Sequence, residues 1–184
     1  MKLEHKLDEI TLLYQACFTK NEYFFEMKPK YEPNFSSSSK YKIYKGIRKS
    51  DGLPVAIKII PKNEIIIWKN ESLPFEIYSM LLVNKKNENY IQLIDYDIKI
   101  RNVYIVMQLP DNLYSLNYFI KYYDNEELYQ HHIDYIFCKV LFAYKKLTLK
   151  NILILDIYCS IQFYTTEPFR IKNILITNFS SAIE

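Results

Sequence analysis

The strongest constraint in this chain is the run Pro54-Val55-Ala56-Ile57-Lys58-Ile59-Ile60, a short β-rich stretch whose composition suits a buried strand. Ahead of it Lys42-Ile43-Tyr44-Lys45 alternates, and Ser50-Asp51-Gly52 supplies a turn, so Tyr41 to Ile60 reads as strand, turn, strand. This unit also takes up both glycines of the chain, Gly46 and Gly52. Glycine provides positive-φ turns and lets a backbone approach a ligand closely. A loop that cradles phosphates normally needs several, and here both fall where a strand or turn needs them.

With 184 residues and 49% hydrophobic content the chain suits one domain with a sizeable core and a short extension. Its net charge of +3 is mild, and its lysines are scattered among carboxylates, which does not argue for nucleic acid. The eighteen tyrosines spread through every element instead of lining one face, which opposes base stacking. No apolar run reaches the length of a membrane span, and Met1-Lys2-Leu3-Glu4-His5-Lys6 is not a signal peptide. Cys17, Cys138 and Cys159 are odd in number and lack ligand spacing, as expected of a reduced intracellular protein, cytoplasmic or nuclear. His131 and His132 are adjacent, so on a helix they point to different faces and lack metal spacing.

Residues 1–20 carry Leu3, Leu7, Ile10, Leu13, Tyr14, Cys17 and Phe18 at helical spacing, and Pro29 and Pro33 break the chain into an extended connector. Leu73 to Val83 is helix-like. Ile91 to Tyr96 and Val103 to Leu109 read as strands joined by a polar turn at Lys99–Asn102, and Asp111-Asn112 closes that sheet. Asp124-Asn125-Glu126-Glu127 caps a long helix running to about Lys146. Ile152 to Ile157, Ile161 to Tyr164 and Ile171 to Phe179 are short β-like runs. Trp68, after Ile65-Ile66-Ile67, is expected to pack on the core.

Tyr44 through Lys58 closely resembles the second and third strands of the PIM family of serine/threonine kinases, Val55-Ala56-Ile57-Lys58 being the third-strand motif of protein kinases. The similarity runs from about residue 35 to the C-terminus. It implies that Lys58 is the phosphate-pairing lysine and that Glu76, in Leu73-Pro74-Phe75-Glu76, is its partner on the αC helix. Gln108-Leu109-Pro110 resembles the PIM hinge, with Met107 as gatekeeper, and Ile43 and Ala56 line the adenine site. Phe163 would fill the floor of that pocket. Asn178-Phe179-Ser180 falls where Asp-Phe-Gly is expected.

The departures from the family are chemical. The three phosphate-loop glycines correspond to Ser36, Ser39 and Tyr41, and His-Arg-Asp corresponds to Ile154-Leu155-Asp156. Asp156 keeps the type of the catalytic base. The lysine that follows is replaced by Tyr158, and the metal-binding asparagine by Ile161. The remaining metal ligand is replaced by Asn178. An isoleucine offers no ligand and an amide is a poor substitute for a carboxylate, so no metal site is expected. Apolar interior positions stay apolar: Met80, Ile154, Phe179, Ile43 and Ala56. An alternative alignment takes Arg170-Ile171-Lys172-Asn173-Ile174-Leu175-Ile176 as the degraded catalytic loop, with Asn173 as metal ligand.

The resemblance implies an α+β, protein-kinase-like fold: a five-stranded antiparallel N-lobe sheet with αC, and only the first part of the helical C-lobe. It divides the chain into an N-terminal helical extension and connector (1–34), an N-lobe (35–107) and a hinge with truncated C-lobe (108–184). Without the later C-lobe helices, Phe137, Val140, Leu141 and Tyr144 are expected to expose an apolar stripe. The function implied is that of a pseudokinase with little or no phosphoryl transfer. It would act by binding protein, as a decoy or regulator of a kinase or its substrate, with self-association through the exposed surface as a further expectation. No cofactor is expected, with ATP and Mg²⁺ at most weak ligands. Asp156 is then a vestigial base, and Lys58 with Glu76 a structural ion pair in a degenerate nucleotide pocket that includes Ala56, Ile43, Met107, Gln108 and Phe163. Two other readings stay open: a divergent ATP-dependent serine/threonine kinase, and a non-functional fragment of a decayed kinase gene.

Overall fold

The computed structural model describes residues 23–25, 41–69, 71–83, 88–116, 119, 130–155, 159–163, 171–179 and 182–183. The helix expected over residues 1–20, the serines Ser36 and Ser39, the cap at 124–127, Asp156 and Tyr158 lie outside the described residues, as do the side chains of Ile161 and Phe163.

A five-stranded antiparallel sheet forms the first part of the molecule, in the order β1-β2-β3-β7-β6. Its strands are β1 (Tyr23–Phe25), β2 (Lys42–Arg48), β3 (Pro54–Pro61), β6 (Leu93–Ile98) and β7 (Asn102–Gln108). Four of the five are legible in the sequence; β1, at one edge, is not. It comes from Tyr23–Phe25, inside the segment read as an extension, and pairs through Tyr23↔Arg48 and Phe25↔Gly46. Three residues are too few to show a period, so only pairing with β2 makes them a strand.

β3 lacks alternation because both its faces are covered. Val55 and Ile57 pack with Tyr23, Tyr104 and Val106 on one side. Ala56 and Ile60 join the main core on the other, with Val103, Ile105 and Met107 of β7. Lys58 shares the parity of Ala56 and Ile60, so its side chain enters the main-core face.

Onto that face packs α1 (Phe75–Val83). The expected start at Leu73 shifts by two residues, because Leu73–Pro74 forms a short strand, β5, against β4 (Trp68–Lys69). The Phe75 N–H is held by the carbonyl of Ile67 at 3.0 Å. Trp68 is half-buried against the main core, with Lys62 Nζ 5.9 Å from its ring centre.

The second part holds β8 (Leu113–Ser115), α2 (Gln130–Thr148), β9 (Leu153–Ile154), β10 (Cys159–Phe163), β11 (Ile171–Ile176) and β12 (Ala182–Ile183). The β-like runs that begin near Ile161 and Ile171 supply β10 and β11, and Leu113–Ser115 adds along the free edge of β10 to make a three-stranded sheet, β11-β10-β8. β12 pairs with β9. The stripe expected on α2 is also corrected. Val140 packs with Phe119 and Ile174, and Tyr144 is half-buried, whereas Ile133, Phe137, Leu141 and Phe142 face outward.

The two parts are stitched at Tyr90. It forms a bridge with Ile176, flanked by Ile91 N–H to Ile176 O (3.0 Å) and Ile176 N–H to Asn89 O (2.9 Å). Its hydroxyl donates to the carbonyl of Ala143 at 2.6 Å, and burial pushes that phenol up to about 12. One main core runs through both parts, from Ala56 and Met80 to Leu147, Ile154 and Phe179. No described helix is long and apolar enough to cross a membrane.

Candidate functional site

A lysine in the middle of a covered strand carries a charge that cannot be left without a partner in the interior. Lys58 is paired across the sheet with Ile43 on β2 and Ile105 on β7, so it has no route to the sheet edge. Glu76 lies in the first turn of α1, above the same face. Lys58 Nζ donates to Glu76 Oε1 at 2.7 Å, with the two side chains only 5% and 7% exposed. A carboxylate in the first turn also suits the positive end of the helix.

Two further groups close around the same nitrogen. Lys58 Nζ donates to Asn178 Oδ1 at 3.3 Å, across 120 positions of sequence, from the loop that follows β11. The ring of Tyr41 lies with its centre 5.0 Å from Nζ, and the Tyr41 hydroxyl donates to the carbonyl of Glu64 at 3.4 Å. The cation is thus met by a carboxylate, an amide oxygen and an aromatic face. The structure brings together Lys58, Glu76, Asn178 and Tyr41.

Beside this cluster, Ala56 faces Met107 and Val55 faces Gln108 across the β3–β7 pair. Ala56 and Met107 are buried, and Ile43 is half-buried against the same core. The Gln108 N–H is donated to the carbonyl of Gln92 at 2.9 Å and the Leu109 N–H to that of Pro54 at 3.4 Å. Pro110 has no N–H. Residues 108–110 therefore keep no main-chain donor for an incoming base. Gln92 could not be identified from sequence, since its role is carried by a backbone carbonyl that any residue supplies.

Met80, Ile154 and Phe179 are all buried in the main core. The Phe179 ring sits 6.1 Å from that of Tyr90. The Phe179 carbonyl accepts from the Ala182 N–H at 3.0 Å, turning the chain toward β12. Of the remaining expected residues, Ile161 is placed by its backbone alone, between Tyr114 and Ile174 in the middle strand of the three-stranded sheet. Phe163 follows a register shift in the same strand. The alternative alignment loses its loop: Ile171–Ile176 is strand β11, and Asn173 pairs with Gln162 while its side-chain amide donates to the carbonyl of Glu88.

Among the described residues the donor set does not fit a phosphate-bound Mg²⁺. Asn178 brings a neutral oxygen that already accepts from Lys58, and Ile161 carries no ligand atom. The lysine and glutamate fit the pairing that an ATP clamp uses, but the Tyr41 ring lies over the cation on which a phosphate would have to sit.

No protein-family model matches this chain, and no curated protein matches it. Among solved structures it is similar to the crystal structure of Rad53 1–466 in complex with AMP-PNP, with a TM-score of 0.65 and 17% identity. The match covers 91% of this chain and 41% of that one, so the chain spans about two fifths of its length. Rad53 is a protein kinase, and the likeness establishes a kinase-like fold, mixed α/β and built on an antiparallel sheet.

Proposed function

We propose that this kinase-like chain is a PIM-like pseudokinase, with little or no phosphoryl transfer, that acts by binding protein. The observation that carries the reading is the state of Lys58. Besides the Glu76 pair, its ammonium donates to Asn178 and lies under the ring of Tyr41, where an active kinase would offer it to phosphates. Asn178 stands at the position where the resemblance expects a metal-binding carboxylate. Asp156 is then a vestigial base, since a base without positioned phosphates and metal has nothing to act on. Lys58 and Glu76 hold α1 against the sheet. The closed main-chain donors at Gln108 and Leu109 support the same reading for adenine.

The protein it binds is a kinase or a kinase substrate, which a kinase-like surface would occupy as a decoy or regulator inside the cell. This partner class rests on fold-level analogy. The buried Lys58–Glu76 pair favours one competing reading, a divergent serine/threonine kinase, because active kinases need that pair.

Thermal unfolding with and without ATP, in Mg²⁺ and in EDTA, separates the two. Ligand at a hundredfold its Kd stabilises by about 2.7 kcal/mol, a shift of roughly 5–11 °C for a chain of this size. We expect no shift in either condition. A Mg²⁺-dependent shift, abolished by Lys58→Met, overturns the pseudokinase reading in favour of the enzyme. Failure of the chain to unfold as one cooperative unit supports a decayed fragment instead.

A further inference from the structure

The inner side of α2 is accounted for. Ala143 and Leu147 enter the main core, while Ile136 and Val140 pack with Phe119 and Ile174. With 3.6 residues per turn, this leaves Gln130, Asp134, Phe137, Cys138, Leu141 and Lys145 along the opposite side, and all six are exposed. Phe137 is 61% exposed, Leu141 51% and Phe142 51%, with Ile133 also outward. Apolar side chains grouped this closely form a patch, unlike single exposed residues, which need no explanation. The lysine stems cover only its flanks, with Lys139 Nζ 5.5 Å from the Tyr135 ring centre and Lys146 Nζ 4.3 Å from that of Phe142.

The order of residues along the face indicates what covers it. Asp134 stands at the N-terminal end, Lys145 at the C-terminal end, and Phe137, Cys138, Leu141 and Phe142 between them. The apolar four and the Asp134–Lys145 pair share one midpoint, between Lys139 and Val140. We infer that α2 is a self-association face, on which a second copy of this chain lies antiparallel about that midpoint. The symmetry then sets Cys138 against Leu141 at the centre of the seam and Asp134 against Lys145 at both ends at once, while Phe137 and Phe142, about 140° apart around the helix, line its two flanks. This is an isologous interface, in which every contact occurs twice. A uniformly acidic or basic partner helix would satisfy one end of the face and be repelled at the other.

Sedimentation velocity of the full chain across the micromolar range tests this, with far-UV circular dichroism to check that each variant is folded. The unaltered chain should show a concentration-dependent dimer. Asp134→Lys sets lysine against Lys145 at both ends and should raise the dissociation constant at least about tenfold. Adding Lys145→Asp to Asp134→Lys restores both pairs with reversed sign and should bring the dimer back. A chain that sediments as a monomer throughout overturns the inference. So does a dimer indifferent to Asp134→Lys, which would use another surface, or a folded double variant that stays monomeric. Nucleotide binding does not enter the experiment, so its outcome is independent of the pseudokinase reading.

Discussion

At the scale of single residues, Lys58 shows how a buried charge organises its surroundings. Taking an ammonium and a carboxylate out of water costs several kcal/mol per ion, which their attraction offsets only when geometry is good and further bonds are made. The 2.7 Å contact to Glu76 and the bond to Asn178 meet that condition. Removing one partner is therefore much worse than removing both. Lys58→Met should lower stability by about 3 kcal/mol, because it leaves the Glu76 carboxylate buried alone. Lys58→Met with Glu76→Leu should recover most of that loss. Urea unfolding at neutral pH measures both, and a single variant that costs nothing would mean the pair does not hold α1 in place.

At the scale of elements, the β2–β3 hairpin depends on a turn closed by one carboxylate. Asp51 accepts from Arg48 Nε at 2.9 Å and from Arg48 Nη2, and also from the Leu53 N–H at 3.2 Å. Gly52 follows at φ 72°, a left-handed position that suits glycine. The hydrogen bonds from Arg48, then that from Leu53, lower the Asp51 carboxyl from 3.8 to about 2. The folded state thus holds this proton less tightly than the unfolded chain. Its contribution to the hairpin is complete above about 3.8 and is lost as pH falls through about 2. Titration of the Asp51 side chain by NMR should give a midpoint near 2, and Arg48→Ala should return it toward 3.8. An unchanged midpoint in that variant would remove Arg48 as the cause.

At the scale of the whole molecule, the join between the five-stranded sheet and the helical part runs through the core instead of through a linker. Phe179 has no exposed surface and packs in one cluster with Met80 of α1, Tyr90 and Ile154. Phe179→Ala opens a cavity where both parts meet and should cost about 3–5 kcal/mol. Phe179→Leu keeps most of the volume and should cost about 1.5 kcal/mol or less. Denaturant midpoints measure the difference. A small loss in the alanine variant would show that the parts are held together elsewhere, at Tyr90 and Ala143.

The sequence by itself determined the elements whose signal is local. Pro54–Ile60 and Val103–Leu109 are strands because β-branched runs suit a covered strand, and Ser50-Asp51-Gly52 turns because Gly52 accepts positive φ. It also pointed to Lys58 and Glu76 through their likeness to a known motif, and the fold brings them within hydrogen-bond reach. Other features depend on what approaches from a distance. Tyr23–Phe25 becomes a strand only beside β2, and Leu113–Ser115 only beside β10. Val140 and Phe137 look alike on α2, yet Phe119 and Ile174 cover the first and leave the second outward. Asn178 and Tyr41 register in the sequence as a missing carboxylate and a missing glycine. The tertiary structure decided that both close on the Lys58 ammonium, because hydrogen bonds and ring contacts are short-ranged and only the folded chain brings positions 41, 58 and 178 together.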